Sequence, residues 1–207
     1  MKSIILIGNG GHCKSCIEII ESSREYKIKG IITQQEDPNK FFMNYKVLGN
    51  DLSLDKCFEA EDYGLVCVGQ IKSPNIRIKL FDLLKKNKIK LAIVRSASSI
   101  ISRHSLIDYG TIVMHNSIIN AGAKVGRNCI LNTNCLIEHD AKIGNHCHIS
   151  TGAIINGNVS IGNECFIGSG CIIKEGIKIG ERVIVSAGQI IMSDIPSDTI
   201  IRSDFGK

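Results

Sequence analysis

From Ile101 onward the chain repeats every six residues without an insertion or a deletion. Sixteen blocks follow one another, the last starting at Ile191, and all sixteen open on Ile, Val or Leu. The fifth position of a block is small (Ser, Thr, Ala or Cys) in eleven of the sixteen. A longer period lies over the short one. A Val-Gly or Ile-Gly pair returns at Gly126, Gly144, Gly162 and Gly180, eighteen residues apart. Such a repeat predicts a parallel β-helix, in which each block is too short to bury its own apolar face and must stack on its neighbours. Three blocks per coil make a triangular prism of about five coils. The leading aliphatic residue fills the bore and the small fifth residue fits beside it. The composition suits this thin, repetitive β structure, with 5% aromatic residues, no Trp, 20 Gly and only 3 Pro.

Residues 1–95 follow a different rhythm, in which apolar strands alternate with helical patterns. "SIILIG" (Ser3–Gly8), "KIKGIIT", "GLVCVG" (Gly64–Gly69) and "LAIV" (Leu91–Val94) read as strands. "CKSCIEIIESS" and "NIRIKLFDLLKKN" read as helices. Alternation of this kind implies a small parallel sheet.

The net charge of +5 is mild and is not gathered into long basic runs, which fits small anionic ligands better than nucleic acid. The apolar run in "MKSIILIGNGG" is too short for a signal-peptide core, and no 18-residue apolar span follows. A cytoplasmic protein without a membrane segment is expected. Nine cysteines are an odd number, and a reducing compartment argues against disulfides. Cys129, Cys135, Cys147, Cys165 and Cys171 all take the fifth position of a block, where a free thiol serves as a small buried hydrophobe. "CKSC" (Cys13–Cys16) lies inside the first helix without a Trp-Cys-Gly-Pro context, so it reads as core rather than as a redox pair.

Three of the six histidines crowd into "ILNTNCLIEHDAKIGNHCHIS". The eighteen-residue period places residue n against n+18, about 4.8 Å away along the axis. His139 therefore lies against Gly157, both at third positions that point out of the bore. Glu138 and Asp140 flank it, and either would fix its tautomer. A base beside an unobstructed glycine amide suits acyl transfer: the base takes the proton of the nucleophile and the amide stabilises the oxyanion. Two other readings stay open. Any one of these histidines is an exposed polar residue on a wet face. Alternatively "HCH" and His139 supply imidazoles to zinc, as in a carbonic-anhydrase-like β-helix.

At "NTNCLIEHDAKIGNHCHISTGAIINGNVSIG" the chain resembles the sialic-acid O-acetyltransferase/bacillosamine N-acetyltransferase family of bacterial sugar acyltransferases. "GNGGH" near the start and "SPNIRIKL" after the third strand extend the resemblance over nearly the whole length. It implies an α/β Rossmann-like domain over 1–95 that binds the sugar nucleotide. Over 96–207 it implies an all-β, left-handed parallel β-helix that carries the acetyltransferase site. It implies acetyl-CoA as co-substrate, no metal, and a homotrimer with acetyl-CoA held between adjacent prisms. It makes His139 the general base and Asp140 its acidic partner, with Asn132 and Glu138 close to the reacting groups. His148 and the Gly157 amide would meet the thioester. Ser169 and Ala187, in the column Thr151–Ser169–Ala187, would line the pantetheine arm.

"GNGGHCK" follows a strand and opens a helix, so Gly8, Gly10, Gly11 and His12 are expected around a phosphate of the substrate. A dinucleotide fingerprint would need Gly where Cys13 stands. Relatives that hold UDP commonly end the second strand on an acidic pair, whereas this chain has Thr33 and Gln34 there. The usual "GxPAK" ending is replaced by "IIRSDFGK". The expected activity is acetylation of the 4-amino group of a nucleotide-linked, UDP-type, 4-amino-4,6-dideoxy sugar. O-acetylation of a sialic-acid-like nonulosonate is the competing expectation.

Overall fold

The computed structural model describes residues 1–34 and 40–202, so the unusual ending at 203–207 lies outside the described residues. In the first half, β1 (Lys2–Ile7) leads into α1 (Gly11–Ser23) and β2 (Tyr26–Thr33). A hairpin of β3 (Phe41–Phe42) and β4 (Tyr45–Asn50) follows, then the short α2 (Leu54–Cys57), β5 (Tyr63–Val66), α3 (Asn75–Lys86) and β6 (Lys90–Leu91). The sheet order is β3-β4-β2-β1-β5-β6, parallel except for the hairpin pair. Alternation along β1 assigns its side chains to two cores. Ile4 and Leu6 pack with Cys13, Cys16, Ile17 and Ile20 of α1, while Ile5 and Ile7 pack with Leu54, Leu80, Phe81 and Leu84.

The β3–β4 hairpin was not legible as strands. Its turn is Met43-Asn44, with φ of 48° and 68° at the two residues. A two-residue turn with positive φ at both positions matches strand twist, and Asn is one of the few residues at ease there. The stretch read as a single strand, Leu91–Val94, is two elements. Lys90–Leu91 pairs with β5, whereas Val94–Arg95 pairs with Ile112–Val113 and is the first rung of the prism. The chain leaves one sheet and enters the next within two residues.

The repeat folds as a parallel β-helix. Two-residue rungs at the sixth and first positions of each block stack into three sheets of seven, six and five strands. Each rung pairs with the one eighteen residues on, as in Leu136–Ile137 with Ile154–Ile155. Corners fall at the third and fourth positions. From Gly110 to Gly188 every fourth position has a positive φ, and ten of these fourteen residues are Gly or Asn. Those residues enter the left-handed region at least cost. Leading residues such as Leu131, Ile137, Ile149 and Ile155 are fully buried in the bore, as are the five fifth-position cysteines. The eighteen-residue stacking stops near the end: Ile195 bridges to Ile179 and Ile201 pairs with Val185, each sixteen residues away.

The three outer faces of the prism differ. The first-half domain covers the early rungs of one face, where Val94, Ile112 and Met114 join the α1 core. Arg77 of α3 locks this contact. It is 1% exposed, and its guanidinium donates to the carbonyls of Val66 (2.9 Å) and Val68 (2.6 Å) and to Asn128 Oδ1 (2.8 Å). The second face carries an outward aliphatic column, Ile100, Ile118, Leu136, Ile154, Ile172 and Ile190. The third face presents exposed Lys124, Lys142 and Lys178.

Candidate active site

Two recesses collect most of the candidate residues. The larger is a cleft of about 720 Å³ between the end of the parallel sheet and the covered prism face. Gly8, Gly10, Gly11, His12, Thr33 and Gln34 line it, as do Asn132 and His148 from the prism. The glycines are informative in two ways. Gly8 has a φ of 116°, and a Cβ there would meet Val68 Cγ2 at 2.8 Å, so the chain itself demands glycine. At Gly10 and Gly11 a Cβ would meet nothing within 4 Å among the described residues, whose packing does not explain them. Both flank the N-terminus of α1, where unpaired N–H groups and the helix dipole favour an anion. His12 also lines the cleft, and its Nε2 is buried with no hydrogen-bond partner among the described residues.

The second recess lies at the corner after the aliphatic face and is formed by Glu138, His139, Asn156, Gly157, Asn158, Glu175 and Gly176. His139 Nδ1 stands 3.0 Å from Asp140 Oδ2. A carboxylate only accepts, so in the neutral imidazole Nδ1 carries the proton and Nε2 keeps its lone pair. Nε2 is aimed at Gly157, where a Cβ would come within 2.7 Å of it. Among the described residues no acceptor takes the Gly157 N–H. Glu138 Oε2 accepts from Asn120 Nδ2 (2.9 Å) and from the His139 amide (3.2 Å), which holds the loop from below. Asp140, with φ of 60°, is itself the left-handed corner residue.

His148 lies half a coil further on, as its sixth position in a block requires. It does not sit on a wet face or beside Gly157. Its side chain lies under the first-half domain, 6% exposed. Nδ1 donates to the Gln70 carbonyl (2.5 Å), which leaves Nε2 to accept from Asn132 Nδ2 (3.1 Å). Burial pulls its pKa down to about 4, so it is neutral near pH 7. Asn132 goes with it into the larger cleft. His139 and His148 are thus separated, within one chain, by the whole lysine-bearing face. Ser169 and Ala187 lie at yet another corner, exposed, with Ser169 Oγ 2.9 Å from Ser150 Oγ.

The histidines do not converge on a metal. His146 is a corner residue with φ of 57°, and its Nδ1 accepts from Asn128 Nδ2 at 2.9 Å. Among the described residues no group of three or more His, Cys, Asp or Glu is placed to hold an ion. No described helix is long and apolar enough to cross a membrane. Sequence reasoning missed Asp51, Gln70, Lys79 and Met114 of the larger cleft. Lys79 was visible only as one of many surface cations, and Gln70 and Met114 acquire their positions from the docking of the two halves.

The fold and its repeats are those of an acyltransferase of the hexapeptide-repeat class. Residues 3–84 match the PglD N-terminal domain family. Residues 122–157 match the bacterial transferase hexapeptide and 158–193 the hexapeptide repeat of succinyl-transferase. In both halves the chain resembles the acetyl-CoA-dependent sugar acetyltransferases. No curated protein sequence matches it. Among solved structures it is similar to PerB from Caulobacter crescentus in complex with CoA and GDP-perosamine. That likeness has 28% identity, 97% of this chain and 93% of the other covered, and a TM-score of 0.87. It is likewise similar to the acetyltransferase domain of PglB from Neisseria gonorrhoeae, at 25% identity over 100% and 99% of the two chains with a TM-score of 0.89. WeeI from Acinetobacter baumannii shares the fold at 20% identity, over 99% of each chain and with a TM-score of 0.85.

Proposed function

We propose that this enzyme transfers acetyl from acetyl-CoA to the 4-amino group of a nucleotide-linked 4-amino-4,6-dideoxy sugar in the cytoplasm, and works as a homotrimer. The observation that carries the reading is the His139 arrangement. An imidazole with its tautomer set by Asp140 (3.0 Å) presents a free Nε2 over a glycine whose missing side chain leaves the space open. His139 Nε2 accepts the proton of the attacking amine as the new C–N bond forms. The Gly157 N–H faces the oxygen of the tetrahedral intermediate. The C–S bond then breaks, and protonated His139 returns its proton to the departing sulfur. None of these steps uses a cysteine of the chain: the bore cysteines are sealed from solvent.

Two features support the trimer. The base lies in one recess while the phosphate cradle, Asn132 and His148 lie in the other, so one chain offers two half-sites. The aliphatic column of the second face, with Ile100 65% and Ile190 63% exposed, is a surface suited to a second copy of the chain. Assembly around a threefold axis would bring the His139 recess of one subunit to the cleft of the next. His148 and Asn132 would then serve the substrate from the cleft side, and the Ser169–Ala187 corner would be free to take the arm of CoA.

The nucleotide carrier is a diphosphate bound at Gly10–Gly11, with UDP the family expectation and GDP the carrier in the PerB complex. The test mixes enzyme and acetyl-CoA with a UDP-linked 4-amino-6-deoxy sugar, its GDP-linked counterpart, or a free nonulosonic acid, and weighs the products. An acetylated amino sugar is expected. Acetylation of the nonulosonate alone would replace N-transfer by O-transfer, and no product from any of the three would overturn the acceptor class.

A further inference from the structure

Nucleotide-binding α/β folds commonly end the second strand on an acid that holds the ribose hydroxyls. Here Thr33 and Gln34 stand at that place and neither is a carboxylate. The register of the sheet offers a replacement. Thr33 of β2 pairs with Asn50 of β4. The next residues, Gln34 and Asp51, therefore leave the sheet side by side, and both line the larger cleft.

We propose that Asp51 binds the ribose diol of the nucleotide, taking over from the neighbouring strand the task of the missing acid. This rests on the nucleotide-sugar reading above. The position fits. The cradle at Gly10–Gly11 follows β1, and β4 is two strands away in the order β4-β2-β1. Two strand spacings are about 10 Å, a span that a nucleoside diphosphate bridges from its outer phosphate to its ribose. The geometry is also held still. Asn50 Oδ1 accepts from the amides of Leu52 (3.0 Å) and Ser53 (3.2 Å), which fixes the turn that carries Asp51.

The chemistry fits as well. Partial burial raises the pKa of Asp51, opposed only by the charge of Lys79, and no donor in the described chain is bonded to its carboxylate. A carboxylate in a cleft built for an anion is unfavourable unless the ligand brings donors to it. Vicinal hydroxyls supply two O–H donors to two carboxylate oxygens. Lys79, which lines the same cleft, offsets the repulsion between Asp51 and the diphosphate.

The test is calorimetric binding of UDP, GDP and their 2′-deoxy and 3′-deoxy forms to the full-length wild type, Asp51→Asn and Asp51→Ala. In the wild type, loss of a hydroxyl should weaken binding about tenfold or more, the worth of a hydrogen bond to a charged group. In Asp51→Ala the ribonucleotide should weaken by a similar factor and the ribose–deoxyribose discrimination should vanish, with Asp51→Asn in between. Undiminished discrimination in Asp51→Ala overturns the proposal. So does a changed UDP-to-GDP preference with discrimination intact, which would make Asp51 a reader of the base. If the wild type binds no diphosphate, the nucleotide reading itself falls and takes the proposal with it. Acetylation of a nucleotide sugar with undiminished discrimination in Asp51→Ala would sink the proposal alone.

Discussion

Asp140 performs two tasks at one position. Its backbone turns the corner at φ of 60°, and its carboxylate orients His139 from 3.0 Å. The tasks separate by substitution. Asn makes the same left-handed turn at Asn116, Asn134 and Asn158, so Asp140→Asn should melt as the wild type does. Without the carboxylate, however, the tautomer of His139 is no longer enforced and turnover should fall. His139→Ala should fold normally and lose about 10²–10⁴-fold in turnover, the usual worth of a general base. Steady-state rates and melting curves for the two variants check this, and an unaltered rate in His139→Ala would remove His139 from the chemistry. The stacking of His139 on Gly157 was legible from the repeat, because the period fixes both positions, whereas Glu138 and Asp140 flank His139 alike and only the family resemblance singled out Asp140. The burial of His148 was not legible, because the face it points to is wet or dry only according to what covers it.

The element that repeats is the six-residue block, and its fifth position does more than stay small. Thr111 Oγ1 donates to the Gly126 carbonyl (2.8 Å), Ser117 Oγ to the Asn132 carbonyl (2.8 Å) and Cys147 Sγ to the Gly162 carbonyl (3.1 Å). In each case the acceptor is fifteen residues ahead, on the next coil. Ser, Thr and Cys therefore tie coils together at corners where the rung hydrogen bonds lapse. Thr111 also accepts from the Cys129 amide at 3.0 Å. Thr111→Val keeps the shape and removes both bonds in a fully buried place. It should cost about 1–3 kcal/mol, read as a lower midpoint in urea with activity retained. An unshifted midpoint would show that the side-chain bond carries no stability. The repeat announced which residues fill the bore. The donor role went unseen because size alone explained the residue types.

At the scale of the whole molecule, three faces of one prism have three fates: covered by the first-half domain, lined with lysines, or left aliphatic. The two proposed half-sites lie on separate sides of the prism, which makes the proposed assembly testable by mixing. Gly11→Asp puts a negative charge in the proposed phosphate cradle at a helix N-terminus, where Asp is well tolerated and where no described residue obstructs it. Co-expressed with His139→Ala, each variant alone should be inactive. In mixed trimers about one quarter of the sites would pair an intact base with an intact cradle from the neighbouring subunit. Recovered activity near that fraction is expected, whereas none would place base and cradle in the same subunit's site. The sequence by itself determined the prism, its bore and the columns of residues stacked eighteen apart, because those contacts recur at a fixed separation along the chain. Only the tertiary structure decided that His148 is sealed against Gln70, that Arg77 spans to Asn128, and that Asp51 stands beside Gln34. Those contacts join parts of the chain with no shared period, so no pattern in either part announces the other.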